Sequence, residues 1–328
     1  MTGDRAPLPR NAWYVAAASV RLKDVPLAVR LFGSPVVLFR RADGSPVALH
    51  DRCPHRGTPL SLGRTEDDGI TCAYHGWRFG ADGACRHIPS LLDGRGIAKG
   101  VVTNRYPCVE QDGYVWVWPG DETPSAASPS AIDGFANGAW LQGEIDLACE
   151  ALLPIENNLD LCHAVFTHPG KHPQAIAVER SGFHRRLYEM RPTASGLEVS
   201  GEDGTSLRFD LPDRVTVKSN AKLTIVLHHT PTRAQRCRQH WLVPLPNAND
   251  QPHAVFWSDQ EPEILKQDQL ILEAAQLNYE RESESFERSV EADAPTLAVR
   301  RVLRIAAQGR WPAAALSDQA PRTITVRS

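Results

Sequence analysis

Two short segments, Cys53-Pro-His55 and Cys72-Ala-Tyr-His75, each pair one cysteine with one histidine, and 16 residues separate them. Pro54, Gly57 and Gly76 are turn residues, so both segments read as loops. Four soft-to-intermediate donors on two loops make a closed metal site. Two metals suit it: tetrahedral zinc, or a two-iron, two-sulfide cluster with the cysteines on one iron and the histidines on the other. A zinc finger sets its two cysteines on one turn and its two histidines on a helix. Here each loop offers one of each, so both loops must reach both ends of a two-metal group. The alternation points to the iron–sulfur cluster, with structural zinc as the alternative.

Composition narrows the classes around that motif. Seven cysteines in 328 residues are odd in number and too dilute for a disulfide scaffold, and they come with 12 histidines. Cys85, Cys108, Cys149, Cys162 and Cys237 have no ligand spacing and read as buried thiols. The start, MTGDRAPLPRNAWYV, lacks a basic stretch followed by an apolar one, so a cytoplasmic location is expected. The longest fully apolar run is Ala12–Ala18, against the roughly 20 residues that span a bilayer, so no membrane association is expected. A net charge of −3 argues against nucleic acid as a partner.

The length suits two domains. From Val36 to Trp118 short β-rich runs alternate with Asp43-Gly44, Asp82-Gly83 and Asp112-Gly113, predicting a small antiparallel domain over residues 1–120. Residues 121–139, rich in Pro, Ser, Ala and Gly, read as a linker. Residues 140–328 open with a helical candidate near Glu150–His168. Strand-like runs SLRFDL, RVTVKS, KLTIVLHH, QHWLVPLP and HAVFWS follow, then a helical pattern from Glu261 to Gln308. That order predicts an α+β fold with a helix packed on an antiparallel sheet. Residues 1–120 carry 15 basic against 11 acidic side chains, while Glu261–Asp293 carries ten acidic against three basic. Opposite faces suit self-association or a charged protein partner; a solvated helix face explains any one charge equally well.

A second constellation follows the linker: Asp160-x-x-His163-x4-His168, with Asn157 three residues earlier. Asp160 and His163 share a helix face. His163 and His168 diverge by about 140° on a regular helix, so both reach one metal only where the turn distorts. Pro169-Gly170 permit that. Two histidines and one carboxylate form the facial triad of non-haem Fe(II) oxygenases, with positions left open for O2.

CPHR…CAYHGW and D-x-x-H-x4-H together resemble the signatures of Rieske non-haem iron oxygenases, and NAWYVAA and GYVWVWPG resemble the vanillate and dicamba O-demethylase branch. The resemblance implies a Rieske [2Fe–2S] domain followed by a helix-grip (START-like) catalytic domain with long C-terminal helices. Cys53, His55, Cys72 and His75 would hold the cluster; His163 and His168 would hold a mononuclear Fe(II). The third ligand is expected shortly before the last helix, at Asp293, with Glu291 and Glu287 as the next choices. Asp293 also reads as a helix N-cap. Asn157 matches an asparagine common in the family. Asp160 would bridge an iron histidine to a cluster histidine of a neighbouring subunit in a homotrimer.

The implied activity is that of a terminal monooxygenase for aromatic catabolism, an oxidoreductase that incorporates O2 by O-demethylation or hydroxylation of a small substrate. No G-x-G-x-x-G is present, so NAD(P)H electrons are expected through a separate reductase or ferredoxin. The segment from His240 to Pro246, then His253–Trp257, resembles the branch's substrate-domain strands, with Val243 and Leu245 where the branch has polar residues. His240 is the candidate pocket residue. The Phe-Thr-His-Pro-Gly run also resembles the pheophorbide oxygenase branch. Two alternatives remain: a Rieske electron-transfer protein without catalytic iron and, within the family, a ring-hydroxylating dioxygenase.

Overall fold

In the computed structural model, residues 7–66, 68–135, 139–219, 223–245, 251–281, 286–308 and 321–327 are described, those of 251–261 by backbone alone. The chain divides into two units, the first being Arg10–Ala131 with Thr232–Ala234. Its strands are β1 (Tyr14–Ala18), β2 (Leu27–Leu31), β3 (Ser34–Arg40), β4 (Pro46–His50), β5 (Arg64–Glu66), β6 (Gly69–Thr71), β7 (Arg78–Gly80), β8 (Cys85–His87), β9 (Arg105–Tyr106), β10 (Cys108–Gln111) and β11 (Tyr114–Val117). They form three sheets, ordered β1-β11-β10, β2-β3-β4-β9 and β5-β6-β7-β8.

Each Asp-Gly pair sits in a hairpin connection, between β3 and β4, β7 and β8, and β10 and β11. At Asp112-Gly113 both φ values are positive (52° and 76°), as a tight two-residue hairpin requires. Val37, Phe39, Leu49, Leu60, Ile70 and Phe79 build one core, and Cys53 and Cys72 belong to it. The cluster loops are therefore anchored through their cysteines in this buried core.

The expected linker is partly fixed. Trp13 Nε1 donates to Ala126 O (3.1 Å), and Gln111 Nε2 donates to Pro129 O (3.1 Å). The boundary between units falls at Ala131/Ile132, inside the 121–139 segment, of which residues 136–138 lie outside the described residues.

In the second unit β12 (Ala139–Leu147) leads to helices α1 (Leu152–Leu159), α2 (His163–Thr167) and α3 (Pro173–Ser181). Strands β13 (Arg185–Pro192), β14 (Gly196–Gly201), β15 (Ser206–Asp210), β16 (Arg214–Ser219), β17 (Leu223–Arg233) and β18 (Arg236–Leu245) follow, then α4 (Gln251–Arg281), α5 (Ala294–Ala307) and β19 (Arg322–Arg327). The sheet runs β12-β18-β17-β16-β15-β14-β13-β19, a meander with an added strand at each edge. This is the expected α+β class with an antiparallel sheet.

One strand is corrected. HAVFWS is not a sheet strand but the first turns of α4, because a short apolar run fits both periods and neighbouring structure decides. Residues 246–250, including Pro246, lie outside the described residues. Helix α4 is tied to the end of β12: Glu273 accepts from Ala148 N (2.9 Å) and Gln276 from Glu150 N (3.0 Å). Helix α5 buries Val299, Val302, Leu303 and Ala306, one amphipathic stripe, and packs on β14. Among the described residues no helix is long and apolar enough to cross a membrane.

Candidate metal centres

The two cluster loops repeat one backbone design. Cys53 N donates to Thr58 O (2.8 Å) and Gly57 N to Cys53 O (2.9 Å); Cys72 N donates to Trp77 O (2.9 Å) and Gly76 N to Cys72 O (3.1 Å). Gly57 and Gly76 hold φ of +78° and +71°, which closes each loop so that its Cys and His face the same way. Glycine four residues after each cysteine is thus part of the motif.

Cys53 and Cys72 are buried side by side, and burial first, then Cys72, pushes the Cys53 thiol up to about 11. A metal would hold both as thiolates. The His55 and His75 rings lie 4.6 Å apart between centroids, and Trp77 stacks on His55 at 4.4 Å. His55 Nδ1 is buried with no hydrogen-bond partner among the described residues, the condition of a nitrogen kept for a metal.

A single tetrahedral ion needs all four donor atoms within about 4 Å of one another, from metal–ligand distances of about 2.0–2.3 Å. The four residues offer no three such atoms within 4.8 Å; among the described residues only His163, His168 and Asp268 do. Paired thiols at one end and paired imidazoles at the other fit the two-metal cluster and not zinc.

The second centre is built by α1, α2 and α4. His163 opens α2, and His168 leaves it, with φ −122° and ψ 53°. That departure from helical geometry is the distortion the five-residue spacing needs. The two rings stand 5.6 Å apart. Asp268 Oδ1 lies 3.2 Å from His168 Nε2 and 3.9 Å from His163 Nε2, and Asn157 Nδ2 donates to it at 3.3 Å.

The other ring nitrogens of the two histidines differ in their partners. His168 Nδ1 meets Gln267 Oε1 at 2.9 Å, whereas His163 Nδ1 has no hydrogen-bond partner among the described residues, the nearest carboxylate oxygen being Asp160 Oδ1 at 3.8 Å. Both Nε2 atoms face Asp268, and for His168 the Gln267 acceptor sets the tautomer that metal binding needs. Burial disfavours a charged His168 ring, yet Asp268 and Gln267 raise its pKa. The carboxylate draws positive charge of the kind a divalent cation supplies. The donor set fits a two-histidine, one-carboxylate iron site.

Asp160 Oδ1 accepts from Cys162 N (2.6 Å) and His163 N (2.9 Å), fixing the turn into α2. Burial opposes its ionisation, but the His163 ring and these N–H groups hold the carboxyl below its usual range. A cavity of about 420 Å³ adjoins His163, His168 and Asp268, within the size range of small-molecule sites. Leu161, Leu207, Val217, Ile225, Leu227 and Ile264 make most of its apolar wall.

Two expected residues are placed elsewhere. Asp293 is not grouped with the histidines; its Oδ2 accepts from Val290 N (2.7 Å), capping the turn before α5. The carboxylate that meets the histidines is Asp268. The other choices are also engaged, Glu291 by Thr325 N (3.0 Å) and Glu287 by Tyr279 and Arg300. His240 does not line the cavity. Gln239 reaches Asn158 of α1, so its strand neighbour His240 points to the opposite face, where it lies buried near Glu144 (3.4 Å). Asp268 had a sequence signal: Leu265, Asp268, Leu272 and Gln276 fall on one helical stripe, and a carboxylate inside an apolar stripe is out of place on a solvated face.

Comparison with known proteins agrees with this geometry. Residues 12–101 match the Rieske [2Fe-2S] domain, and residues 203–308 match the vanillate O-demethylase oxygenase C-terminal domain. The chain is 44% identical over 163 residues to chlorophyllide a oxygenase of Chlamydomonas reinhardtii, covering 48% of this chain and 24% of that protein. It is 44% identical over 167 residues to a putative toluene-4-sulfonate monooxygenase system iron-sulfur subunit of Comamonas testosteroni (49% and 47%). It is 39% identical over 166 residues to the dicamba O-demethylase oxygenase component of Stenotrophomonas maltophilia (48% and 47%). The matches thus span less than half the length of these relatives. The fold is that of dicamba monooxygenase bound to dicamba, with TM-score 0.75 and 24% identity over 91% of this chain and 97% of that one.

Proposed function

We propose that the chain, which matches the Rieske [2Fe-2S] domain over residues 12–101 and the vanillate O-demethylase oxygenase C-terminal domain over residues 203–308, is a Rieske non-haem iron oxygenase, the terminal oxygenase of a multicomponent system. One observation carries the reading: His163, His168 and Asp268 converge beside an apolar cavity, which an electron carrier has no use for. Cys53, His55, Cys72 and His75 would hold the cluster, and His163, His168 and Asp268 the iron. When bound, these groups supply electron transfer and O2 activation.

The chain's own residues do the rest. Gln267 holds the His168 tautomer and Asn157 the Asp268 carboxylate, so the three donors keep one face. The apolar wall excludes water and sets a substrate carbon beside that face. The net reaction inserts one atom of O2 into a substrate C–H bond and releases the other as water, with two electrons and two protons. On a methoxy group it yields the hydroxyl compound and formaldehyde. The electrons come from NAD(P)H through a separate reductase or ferredoxin.

We place Asp160 at the electron entry to the iron, in a homotrimer whose neighbouring subunit brings its cluster histidine to this carboxylate. Its side chain is 37% exposed, and the hydrogen bonds that fix the turn use Oδ1, leaving Oδ2 for an imidazole. Asp160→Asn keeps an oxygen for the turn but loses the charge. Product formation is expected to fall at least about 100-fold with both metal sites still loaded; normal coupled turnover would show that Asp160 only shapes the turn.

A further inference from the structure

The cavity's charged groups constrain what it can take. Among the described residues lining it, Arg186 is the one arginine or lysine, and its Nη1 lies 2.9 Å from Asp203 Oδ2. His172 Nδ1 accepts from Gln174 N (3.2 Å), so that nitrogen is engaged by the backbone and is not offered to a ligand. A divalent ion on His163, His168 and Asp268 would be offset by Asp268 and Asp160. An anionic substrate would leave water for a site whose cations are already matched by carboxylates.

Asn158 adds direction. His229 Nδ1 lies 2.8 Å from the Asp213 carbonyl oxygen and must donate to it. Burial pushes His229 down to about 4, so the ring is neutral and its Nε2 needs a donor. Asn158 Nδ2 supplies it at 3.0 Å and also reaches Pro154 O (2.7 Å) and Gln239 Oε1 (3.3 Å). With the amide protons engaged, the orientation of the group is set. Its Oδ1 is not a buried unpaired atom, and Asn158 lines the cavity. The carbonyl oxygen is the part of this amide left to meet a ligand.

We propose that the cavity takes an uncharged small molecule that turns an N–H or O–H donor to Asn158 Oδ1, and that it rejects carboxylates and sulfonates of the same shape. This rests on the cavity being the substrate site. It sets the chain apart from a relative named for toluene-4-sulfonate.

The test is calorimetric titration of the fully metal-loaded protein with 4-methoxybenzamide, 4-methoxybenzoate and 4-methoxyacetophenone, with formaldehyde release scored in parallel. The benzamide is expected to bind about ten-fold or more tightly than the benzoate, and several-fold more tightly than the donorless ketone. Asp203 Oδ1 also accepts from Thr205 N (2.9 Å); Asp203→Asn keeps an acceptor there but releases Arg186, and should narrow the benzamide–benzoate gap about three-fold or more. A benzoate bound as tightly as the benzamide, or a gap that Asp203→Asn leaves unchanged, would overturn the proposal. No binding by any of the three overturns the cavity as the substrate site, and the proposal with it. Tight benzamide binding without formaldehyde counts against the demethylase reading alone and supports the selectivity.

Discussion

Asp268→Ala is expected to release the mononuclear iron and leave the cluster in place, whereas Asp293→Ala is expected to keep both. The first substitution removes the only carboxylate grouped with His163 Nε2 and His168 Nε2 among the described residues. It also strips Asn157 Nδ2 of its acceptor. Loss of one of three protein ligands lowers iron affinity by more than the about 10–100-fold typical of an outer hydrogen-bond partner. Iron per chain is expected to drop from about three to about two with the cluster's visible spectrum unchanged. Asp293 accepts from Val290 N before α5, so its loss removes a cap worth about 1 kcal/mol and no metal. Iron lost from the Asp293 variant and kept in the Asp268 variant would reverse the assignment.

Arg300→Met is expected to destabilise the second unit by about 3–5 kcal/mol, a fall on the order of 10 °C in Tm. Arg300 is 7% exposed and forks between two carboxylates: Glu156 on α1 and Glu287 before α5. Tyr279 of α4 donates to Glu287 at 2.6 Å, so three helices meet at this one guanidinium. Glu156 and Glu287 raise the Arg300 pKa although burial opposes it, so the charge is held at every accessible pH. Removing it leaves two half-buried carboxylates facing each other. Glu156 also precedes Asn157, so the loss reaches the iron site through α1. Thermal unfolding of the variant, with Glu287→Gln added to relieve the repulsion, reads the effect. A change under about 1 kcal/mol would mean the network holds nothing together.

Local chemistry was the legible part of the sequence. The Asp-Gly pairs gave hairpins because few residues accept positive φ, and the Cys-His spacing gave the cluster loops because both lie on a short stretch of chain. The α+β order followed from the change of hydrophobic period. His163 and His168 were readable for the same reason, being five residues apart with Pro169-Gly170 after them.

Asp268 was not readable by motif, since 99 residues separate it from His168 and its partners are set by how α4 lies on β12 and α1. It is flanked by Lys266, Gln267 and Gln269, which gave that turn of the helix a solvated look. Asp293 has the better local pattern, and that pattern turned out to be a cap. His240 failed on parity: one position along β18 separates the cavity-side face of Gln239 from the opposite face, and only the register with α1 decides which faces inward.

The central claim is that one chain carries both a two-iron cluster and a separate iron. Counting iron and acid-labile sulfide per chain in the purified, reconstituted protein tests it most directly. About three iron atoms and two sulfides are expected, with the third iron alone lost in the Asp268→Ala variant. Two iron atoms with two sulfides would mark an electron carrier, and zinc without sulfide would mark a structural ion; either result contradicts the two-centre oxygenase.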